Sequence, residues 1–173
     1  MNGETLVETE RLAETHDLTS FDCGVDVLNS WLRQFALSDQ KASVSVTYVF
    51  CVDNRVVGFF TLAAHAIQPA EAADRLRKGL PVQRVIPVIL LARLGLDETR
   101  HGLGEGASLL RDCLVRSAAA ADDIGARALV VHAKSDEAAN FYRRFGFQPL
   151  PENPNNLYLL MKDIRASIQE AQI

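Results

Sequence analysis

Cysteine is scarce in this chain, and the few that occur follow no pattern. The sequence of 173 residues has only three cysteines, and none of them forms a C-x-x-C pair. They are Cys23, Cys51 and Cys113. An odd, scattered set excludes a disulfide framework and offers no zinc-ligand spacing. His16, His65 and His132 are equally scattered, so we predict structural histidines, buried cysteines and no metal site.

Long apolar runs are also missing. No stretch approaches the roughly 18 uninterrupted apolar residues that a membrane helix needs. The chain starts Met1-Asn2-Gly3-Glu4, which is acidic and unlike a signal peptide. We therefore expect a cytoplasmic protein without a membrane span. Its length fits one domain over residues 1–173, and 48% of its residues are hydrophobic, enough for a full core.

Acidic residues are absent from one stretch of an otherwise acidic protein. The net charge is −4, and residues 1–40 carry eight acids against two bases. Residues 75–96 contain no acid and five bases, which are Arg75, Arg77, Lys78, Arg84 and Arg93. A local basic stretch can mark an anionic partner, although a scattered solvated face explains the charges equally well.

The apolar patterning predicts a mixed sheet covered by helices. Predicted strands span residues 5–13, 45–52, 55–66, 86–96, 126–133 and 156–163, and predicted helices span residues 25–37, 70–78, 107–121 and 136–145. Asp53-Asn54 is a hairpin signal between the second and third strands. The first long helix should bury Val25, Leu28, Trp31, Leu32 and Phe35, and the helix over residues 107–121 should bury Leu110, Cys113, Leu114, Ser117 and Ala118.

A glycine-rich segment joins the long strand to the next helix. It reads Arg100-His101-Gly102-Leu103-Gly104-Glu105-Gly106-Ala107. Glycines let a backbone approach a phosphate closely, and the first N–H groups of a helix point at such a ligand. The segment therefore predicts a site for a phosphorylated ligand, with a plain helix-start loop as the alternative.

Two nucleotide-binding templates fit this segment less well than a third. Gly102-x-Gly104-x-x-Ala107 matches a dinucleotide fingerprint, but residues 97–100 intervene after the strand and the next strand ends without a carboxylate. No lysine follows the glycines, which excludes a P-loop. His101-x-x-Gly104-x-Gly106 resembles the pyrophosphate loop [RQ]-x-x-G-x-[GA] of the GNAT acetyltransferases, with His in the Arg/Gln position.

A second motif strengthens that resemblance. Ala138-x-x-Phe141-Tyr142-x-x-x-Gly146-Phe147 is similar to the closing motif of the GNAT fold and follows the glycine loop in the family's order. Residues 18–36, 88–97 and 132–138 further resemble the acetyltransferase toxins of bacterial toxin–antitoxin pairs. The resemblance implies a mostly antiparallel GNAT sheet, flanked by helices, in which the long strand and the next one splay apart.

The toxin resemblance also implies substrates and partners. The donor would be acetyl-CoA, the acceptor would be the α-amine of an aminoacyl-tRNA, and acetylation would stop translation. A ribbon-helix-helix antitoxin and a toxin homodimer are implied as partners. The alternatives are a GNAT enzyme acting on a protein N-terminus or small amine, and a weakly catalytic binding module that acts on DNA through an antitoxin.

The family motifs assign roles residue by residue. Pantetheine would pair with the backbone of Leu94, Gly95 and Leu96, and an N–H there could polarise the thioester carbonyl. The pyrophosphate would sit on the N–H groups of residues 102–107, with added charge from Arg100 and His101. Tyr142 would protonate the leaving thiolate, or else only pack on the sheet, and Asn140 is a candidate coenzyme contact.

A general base is missing from the long strand. Residues 85–96 contain no carboxylate that could act as a base. A lysine acceptor would need such a base, because its ammonium group has a pKa of about 10.4 and is hard to deprotonate. An α-amine has a pKa near 7.7–8.0, so its deprotonation costs roughly 3.4 kcal/mol less. The absence favours an α-amine acceptor, unless Asp97 or Glu98 supplies the base. For the tRNA polyanion, the five bases of residues 75–96 are the predicted contact surface.

Overall fold

The computed structural model describes residues 7–171, which form a seven-stranded sheet flanked by helices. The strands are β1 Glu10–Arg11, β2 Val46–Val52, β3 Arg55–Ile67, β4 Ile86–Leu96, β5 Ala128–His132, β6 Gln148–Pro149 and β7 Asn156–Leu160. The helices are α1 Asp26–Gln34, α2 Ala36–Lys41, α3 Asp74–Arg77, α4 Glu105–Ile124, α5 Asp136–Arg143 and α6 Met161–Ala171. Short 3₁₀ turns span Pro69–Glu71 and Glu98–Arg100.

The sheet has the mixed, mostly antiparallel order that the sequence predicts. Its order is β1-β2-β3-β4-β5-β7-β6. Strands β4 and β5 are parallel, in a register that places Leu91 opposite Val131. The pairs β1–β2, β2–β3, β5–β7 and β6–β7 are antiparallel. The predicted fold class is confirmed.

The chain divides into two compact units. The first comprises the chain up to Ala63 together with Ala92–Cys113, and the second comprises Ala64–Leu91 and the chain from Leu114. The core of the first unit contains Leu12, Phe21, Cys23, Trp31, Leu32, Ala36, Val49, Val56 and Phe59. The core of the second contains Ile67, Ala72, Leu76, Ile86, Val88, Ala128, Val130, Leu150, Tyr158 and Leu160.

Several predicted elements are confirmed. The β2–β3 hairpin turns at Asp53 and Asn54, whose φ angles of 50° and 66° are the left-handed values that a tight two-residue turn requires. Ser135 caps α5 by accepting a hydrogen bond from the Ala138 N–H at 3.1 Å. The five α4 residues predicted to face inward are all buried.

Other predictions are wrong in instructive ways. Val25 and Phe35 are 48% and 51% exposed, because Val25 precedes α1 in extended conformation and Phe35 breaks the helix between α1 and α2. The first strand is limited to Glu10–Arg11 among the described residues, and residues 5 and 6 lie outside them. The last strand ends at Leu160, and the chain continues at once as α6.

The short helix predicted over residues 70–78 is divided. A 3₁₀ turn at Pro69–Glu71 is followed by the single-turn helix α3, with Ala72 and Ala73 extended between them. Gly79 follows with a φ of 83°, as predicted for a helix-ending glycine. In the part of the chain that the structure describes, no helix is both long and apolar enough to cross a bilayer.

Candidate active site

The turn between β4 and the glycine loop is held by a buried carboxylate. Asp97 follows β4 and is buried, and its Oδ1 accepts hydrogen bonds from the N–H and the hydroxyl of Thr99. Its Oδ2 accepts the N–H of Asp22 at 3.0 Å. Burial opposes ionisation of this carboxyl, but the hydrogen bonds outweigh it and lower the pKa of Asp97. A carboxylate held in this way orients the loop and is a poor general base.

The backbone of the loop is suited to an anion. Gly102 and Gly104 have φ angles of 78° and 76°, and a Cβ added at either would meet no atom within 4 Å. The first helical hydrogen bond of α4 runs from the Ser108 N–H to the Gly104 carbonyl at 3.3 Å. The N–H groups of residues 105–107 therefore precede the intrahelical bonding, at the positive end of a long helix. This open, left-handed cradle fits a diphosphate.

The charged side chains of the loop mainly contact the protein itself. Arg100 donates to both carboxylate oxygens of Glu105, with distances of 2.8 and 2.5 Å, and Glu105 is buried. The Glu105 carboxylate raises the pKa of Arg100 through these hydrogen bonds. The ring of His101 hydrogen-bonds through Nε2 to the Leu96 carbonyl at 2.7 Å. Because the Arg100 and His101 side chains are engaged, an anion placed at this loop would meet chiefly backbone N–H groups.

The end of β4 extends past its parallel partner. In the register of Leu91 with Val131, β5 ends at His132, whereas β4 continues through Leu94 and Gly95 to Leu96. Packing inside the first unit requires a glycine at position 95. A Cβ at this position would lie 2.9 Å from Cε1 of the buried Phe59.

The second motif lies on α5, in the second unit. Tyr142 is 6% exposed, and its ring makes edge contacts with Phe141 and Phe147 at centroid distances of 5.3 and 5.5 Å. Asn140 is exposed, and its Oδ1 accepts a hydrogen bond from Arg143 at 2.9 Å. The aromatic packing fixes the tyrosine ring on the helix, whereas the Asn140 amide group stays at the surface.

The five predicted RNA-contacting bases fall in two places. Arg75, Lys78 and Arg84 line a single pocket of about 520 Å³ in the second unit, and Arg77 lies beside it in an ion pair with Asp74 at 3.2 Å. Arg93 belongs to the first unit, where its guanidinium stacks 3.8 Å from the Trp31 ring centroid. Burial lowers the pKa of Arg93, although Asp39 opposes the shift.

Sequence reasoning missed several residues of this region. The pocket that Arg75 lines is also lined by Arg127, Lys162 and Arg165. Lys162 and Arg165 lie on α6, whose start the sequence pattern assigns to a strand over residues 156–163. The rings of His65 and His132 contact each other at 5.8 Å. Burial, the neighbouring His65 and Lys134 lower the pKa of His132, while Glu71 opposes them.

One cluster has the spacing of a metal site but not its chemistry. Ligand atoms of Glu10, His16 and Cys51 lie within 4.8 Å of one another. Nδ1 of His16 accepts the Ala13 N–H at 2.9 Å, so the neutral ring carries its proton on Nε2 and donates it to Glu10 at 2.7 Å. Burial, with the Glu10 charge, raises the pKa of Cys51 to about 11. Neither group is set up as a metal ligand.

Comparison with known proteins gives the class of the protein. Residues 43–149, more than half of the chain, match the acetyltransferase (GNAT) domain family. The chain therefore belongs to the GNAT acetyltransferase family and is an acetyl-CoA-dependent N-acetyltransferase.

Within that family the chain is similar to a group of toxins. It is 45% identical to a tRNA-acetylating toxin of Mycobacterium tuberculosis over 91% of this chain and 94% of the relative. It is 31% identical to the probable toxin TacT of Sinorhizobium fredii over 87% and 88% of the two chains. AtaT complexed with acetyl-methionyl-tRNAfMet has a TM-score of 0.86 at 28% identity, covering 94% and 99% of the two chains.

Proposed function

We propose that this protein acetylates the α-amine of aminoacyl-tRNA and thereby blocks translation. The observation that carries the proposal is the 45% identity, over nearly the full length of both chains, to a tRNA-acetylating toxin. An acetylated α-amine cannot attack in peptide-bond formation, so a modified tRNA is lost to elongation. Because charged tRNA is used by ribosomes, the protein would act in the cytoplasm.

The glycine loop would hold the diphosphate of the donor. Acetyl-CoA supplies the acetyl group as a thioester, and the N–H groups of residues 102–107 can bind its phosphates without any lysine. The left-handed Gly102 and Gly104, with open space where Cβ atoms would stand, support this role. Backbone groups of Leu94, Gly95 and Leu96 would pair with the pantetheine arm, and Asn140 would contact the coenzyme.

Tyr142 would supply the proton that the departing thiolate needs. A phenol can hydrogen-bond to a thiolate and protonate it. The ring is held by Phe141 and Phe147, which supports a fixed position for the hydroxyl. Two structural relatives, KacT and AtaT, have been solved as tyrosine-to-phenylalanine mutants.

The acceptor and the partner proteins belong to the same proposal. Arg75, Arg77, Lys78 and Arg84, with Arg93 on the first unit, would contact tRNA phosphates. An antitoxin would neutralise the enzyme, which is supported by AtaT having been solved with the C-terminus of the antitoxin AtaR and with AtaR on DNA. The antitoxin type in this proposal is ribbon-helix-helix. A homodimer is the proposed assembly.

The experiment is in vitro translation with and without acetyl-CoA. The native chain should inhibit only when acetyl-CoA is present, and radiolabelled acetyl should appear on charged tRNA. Tyr142→Phe should lower the acetylation rate about 10²- to 10⁴-fold, the usual contribution of a general acid. Tyr48→Phe is the matched control, because Tyr48 stacks on Phe60 in the first unit and has no assigned role.

Two results would contradict the proposal. Inhibition that does not need acetyl-CoA would favour a binding module over an enzyme. Acetylation of free amines or protein N-termini, with charged tRNA left unmodified, would make the chain an ordinary small-amine or N-terminal acetyltransferase.

A further inference from the structure

A basic pocket lies at one end of the second unit. It is formed by α3, the segment after α3, the start of β4, the two residues before β5, the end of β7 and the start of α6. Its volume is about 520 Å³, within the range of pockets that hold small organic ligands. Six of its lining residues are cationic and none is acidic, and the cations are Arg75, Lys78, Arg84, Arg127, Lys162 and Arg165.

Three of the six cations are already engaged. Arg127 donates to the carbonyls of Leu76 at 2.7 Å and Lys78 at 2.5 Å, so it ties the end of α3 to the residue that precedes β5. Arg75 pairs with Asp163 at 3.1 Å and Arg165 with Asp122 at 2.8 Å. These contacts shape the wall and hold it in place.

The other three cations are uncompensated. Within residues 7–171, no carboxylate lies within ion-pair distance of Lys78, Arg84 or Lys162, and all three are exposed. The Nε–H of Arg165 is buried without a hydrogen-bond partner among the same residues. Because the carbonyl groups that hold Arg127 do not neutralise its charge, the pocket keeps about four positive charges, and three of these cations are free to bind a ligand, in a protein whose net charge is −4.

The excess positive charge of the pocket favours an anionic ligand. A concave wall of like charge concentrates the field and attracts an anion that can accept several N–H bonds at once, as a phosphate does. Leu80, Pro87, Leu160 and Met161 give the same pocket apolar surface. A nucleotide unit offers both features, because its phosphate is anionic and its sugar and base have apolar faces.

We propose that this pocket binds a phosphate and its adjoining nucleotide in the backbone of the acceptor RNA, with Lys78, Arg84 and Lys162 as the binding cations. The inference rests on the proposed function and extends it. Two of the three cations also belong to the predicted basic stretch, whereas Lys162 adds α6 to the contact. The pocket anchors the body of the RNA, so it should affect binding of the acceptor and not the chemistry of a small amine.

The test compares two variants of equal net charge. The pocket variant combines Lys78→Ala, Arg84→Ala and Lys162→Ala. The control combines Arg11→Ala, Lys41→Ala and Arg55→Ala, three exposed bases of the first unit. Both remove three positive charges. Each protein is assayed for acetylation of aminoacyl-tRNA, for acetylation of an aminoacyl ester of adenosine, and for binding of deacylated tRNA as a function of salt.

The pocket variant should raise KM for aminoacyl-tRNA roughly 10- to 50-fold while kcat stays within about twofold, since each phosphate contact is worth a few-fold at moderate salt. Its salt slope for deacylated tRNA should fall by about one for each phosphate that the variant no longer neutralises. Kinetics with the adenosine ester should not change. The control should keep the native KM and slope to within a small factor.

Three outcomes would overturn the inference. The first is equal loss of RNA affinity in both variants, which would indicate a diffuse field. The second is displacement of tRNA by micromolar AMP or inorganic phosphate, which would indicate a free-nucleotide site. The third is native RNA binding together with failure of the antitoxin to neutralise the variant, which would assign the pocket to a protein. If the native enzyme does not acetylate charged tRNA, the proposed function fails, while the deacylated tRNA measurement still tests the pocket.

Discussion

At the scale of single residues, two glycines of the proposed donor site differ in what they tolerate. A Cβ at Gly95 would lie 2.9 Å from Cε1 of Phe59, which is fully buried and makes ring contacts with Phe21 and Trp31, so either the ring or the backbone must shift to accept it. A Cβ at Gly106 would meet only Leu96, at 4.0 Å. The first glycine is required by packing, whereas the second stands in ordinary helical space.

We expect Gly95→Ala to lower the free energy of unfolding by about 1–3 kcal/mol, the usual cost of overpacking a core. Gly106→Ala is the matched control and should be neutral or stabilising by up to about 1 kcal/mol, because alanine favours helix. Urea unfolding followed by circular dichroism measures both. A native-like stability of Gly95→Ala would mean that the Phe59 ring is free to shift.

The phosphate-binding role of the glycine loop can be predicted from the sequence, whereas the packing constraint on Gly95 cannot. The glycines at 102, 104 and 106 are close together in the chain, so their pattern predicts a backbone that binds phosphate. Gly95 is opposed by Phe59, which is far away in sequence, and no local pattern reveals that contact. Likewise, the pairing of Arg100 with Glu105 shows only in the folded loop, where it neutralises a charge expected to face the donor.

At the scale of elements, the hairpin between β2 and β3 follows from local chemistry alone. Asp53 and Asn54 both adopt left-handed backbone angles, which asparagine and aspartate tolerate better than most residues. The Asn54 side chain also donates to the Thr15 carbonyl at 2.6 Å. The turn is thus stabilised by its backbone preference and by one tertiary hydrogen bond.

These two contributions can be separated by two substitutions. Asn54→Ala should lower the free energy of unfolding by about 1–2 kcal/mol or more, because it removes the hydrogen bond and places a Cβ in a left-handed conformation. Asn54→Gly removes only the hydrogen bond and should cost less than alanine does. Thermal unfolding of the three proteins tests the order. Equal destabilisation by alanine and glycine would show that the backbone conformation contributes little.

Element ends are harder to predict than element types. The apolar run of β7 passes into Met161 without a turn residue, so the pattern predicts a strand as far as residue 163. The spacing of Met161, Ile164 and Ile168 fits a helix and could have revealed α6. The break at Phe35 has no such signal, because the apolar period continues from α1 into α2 while the backbone does not.

At the scale of the whole molecule, two features bear on the choice of substrate: the basic pocket and the absence of a carboxylate in β4. The basic pocket gathers residues from 75 to 165, so sequence distance conceals it. The missing general base, in contrast, is visible in sequence as the absence of a carboxylate in β4. The structure adds that Asp97 is occupied as a loop cap with a lowered pKa.

An enzyme of this kind should discriminate amines by their basicity. We expect kcat/KM for aminoacyl-tRNA to rise with pH and level off near the pKa of its α-amine, at or below about 8, because the enzyme uses the amine already neutral in solution. A lysine side chain presented in a peptide with a blocked N-terminus should react at least about 300-fold more slowly at pH 7, following the difference of roughly 2.5 pKa units.

The measurement is acetyl transfer from labelled acetyl-CoA to the two acceptors between pH 6 and about 9, with Asp97→Asn as a further variant. A flat profile for aminoacyl-tRNA across this range would reveal a protein base that deprotonates the amine. Asp97→Asn keeps the shape of the side chain and one oxygen that can accept from Thr99, but it puts an amide NH2 group, which cannot accept, where Oδ2 receives the Asp22 N–H. It should therefore reduce stability and leave the position of the plateau unchanged. A plateau that moves in this variant would make Asp97 the missing base after all.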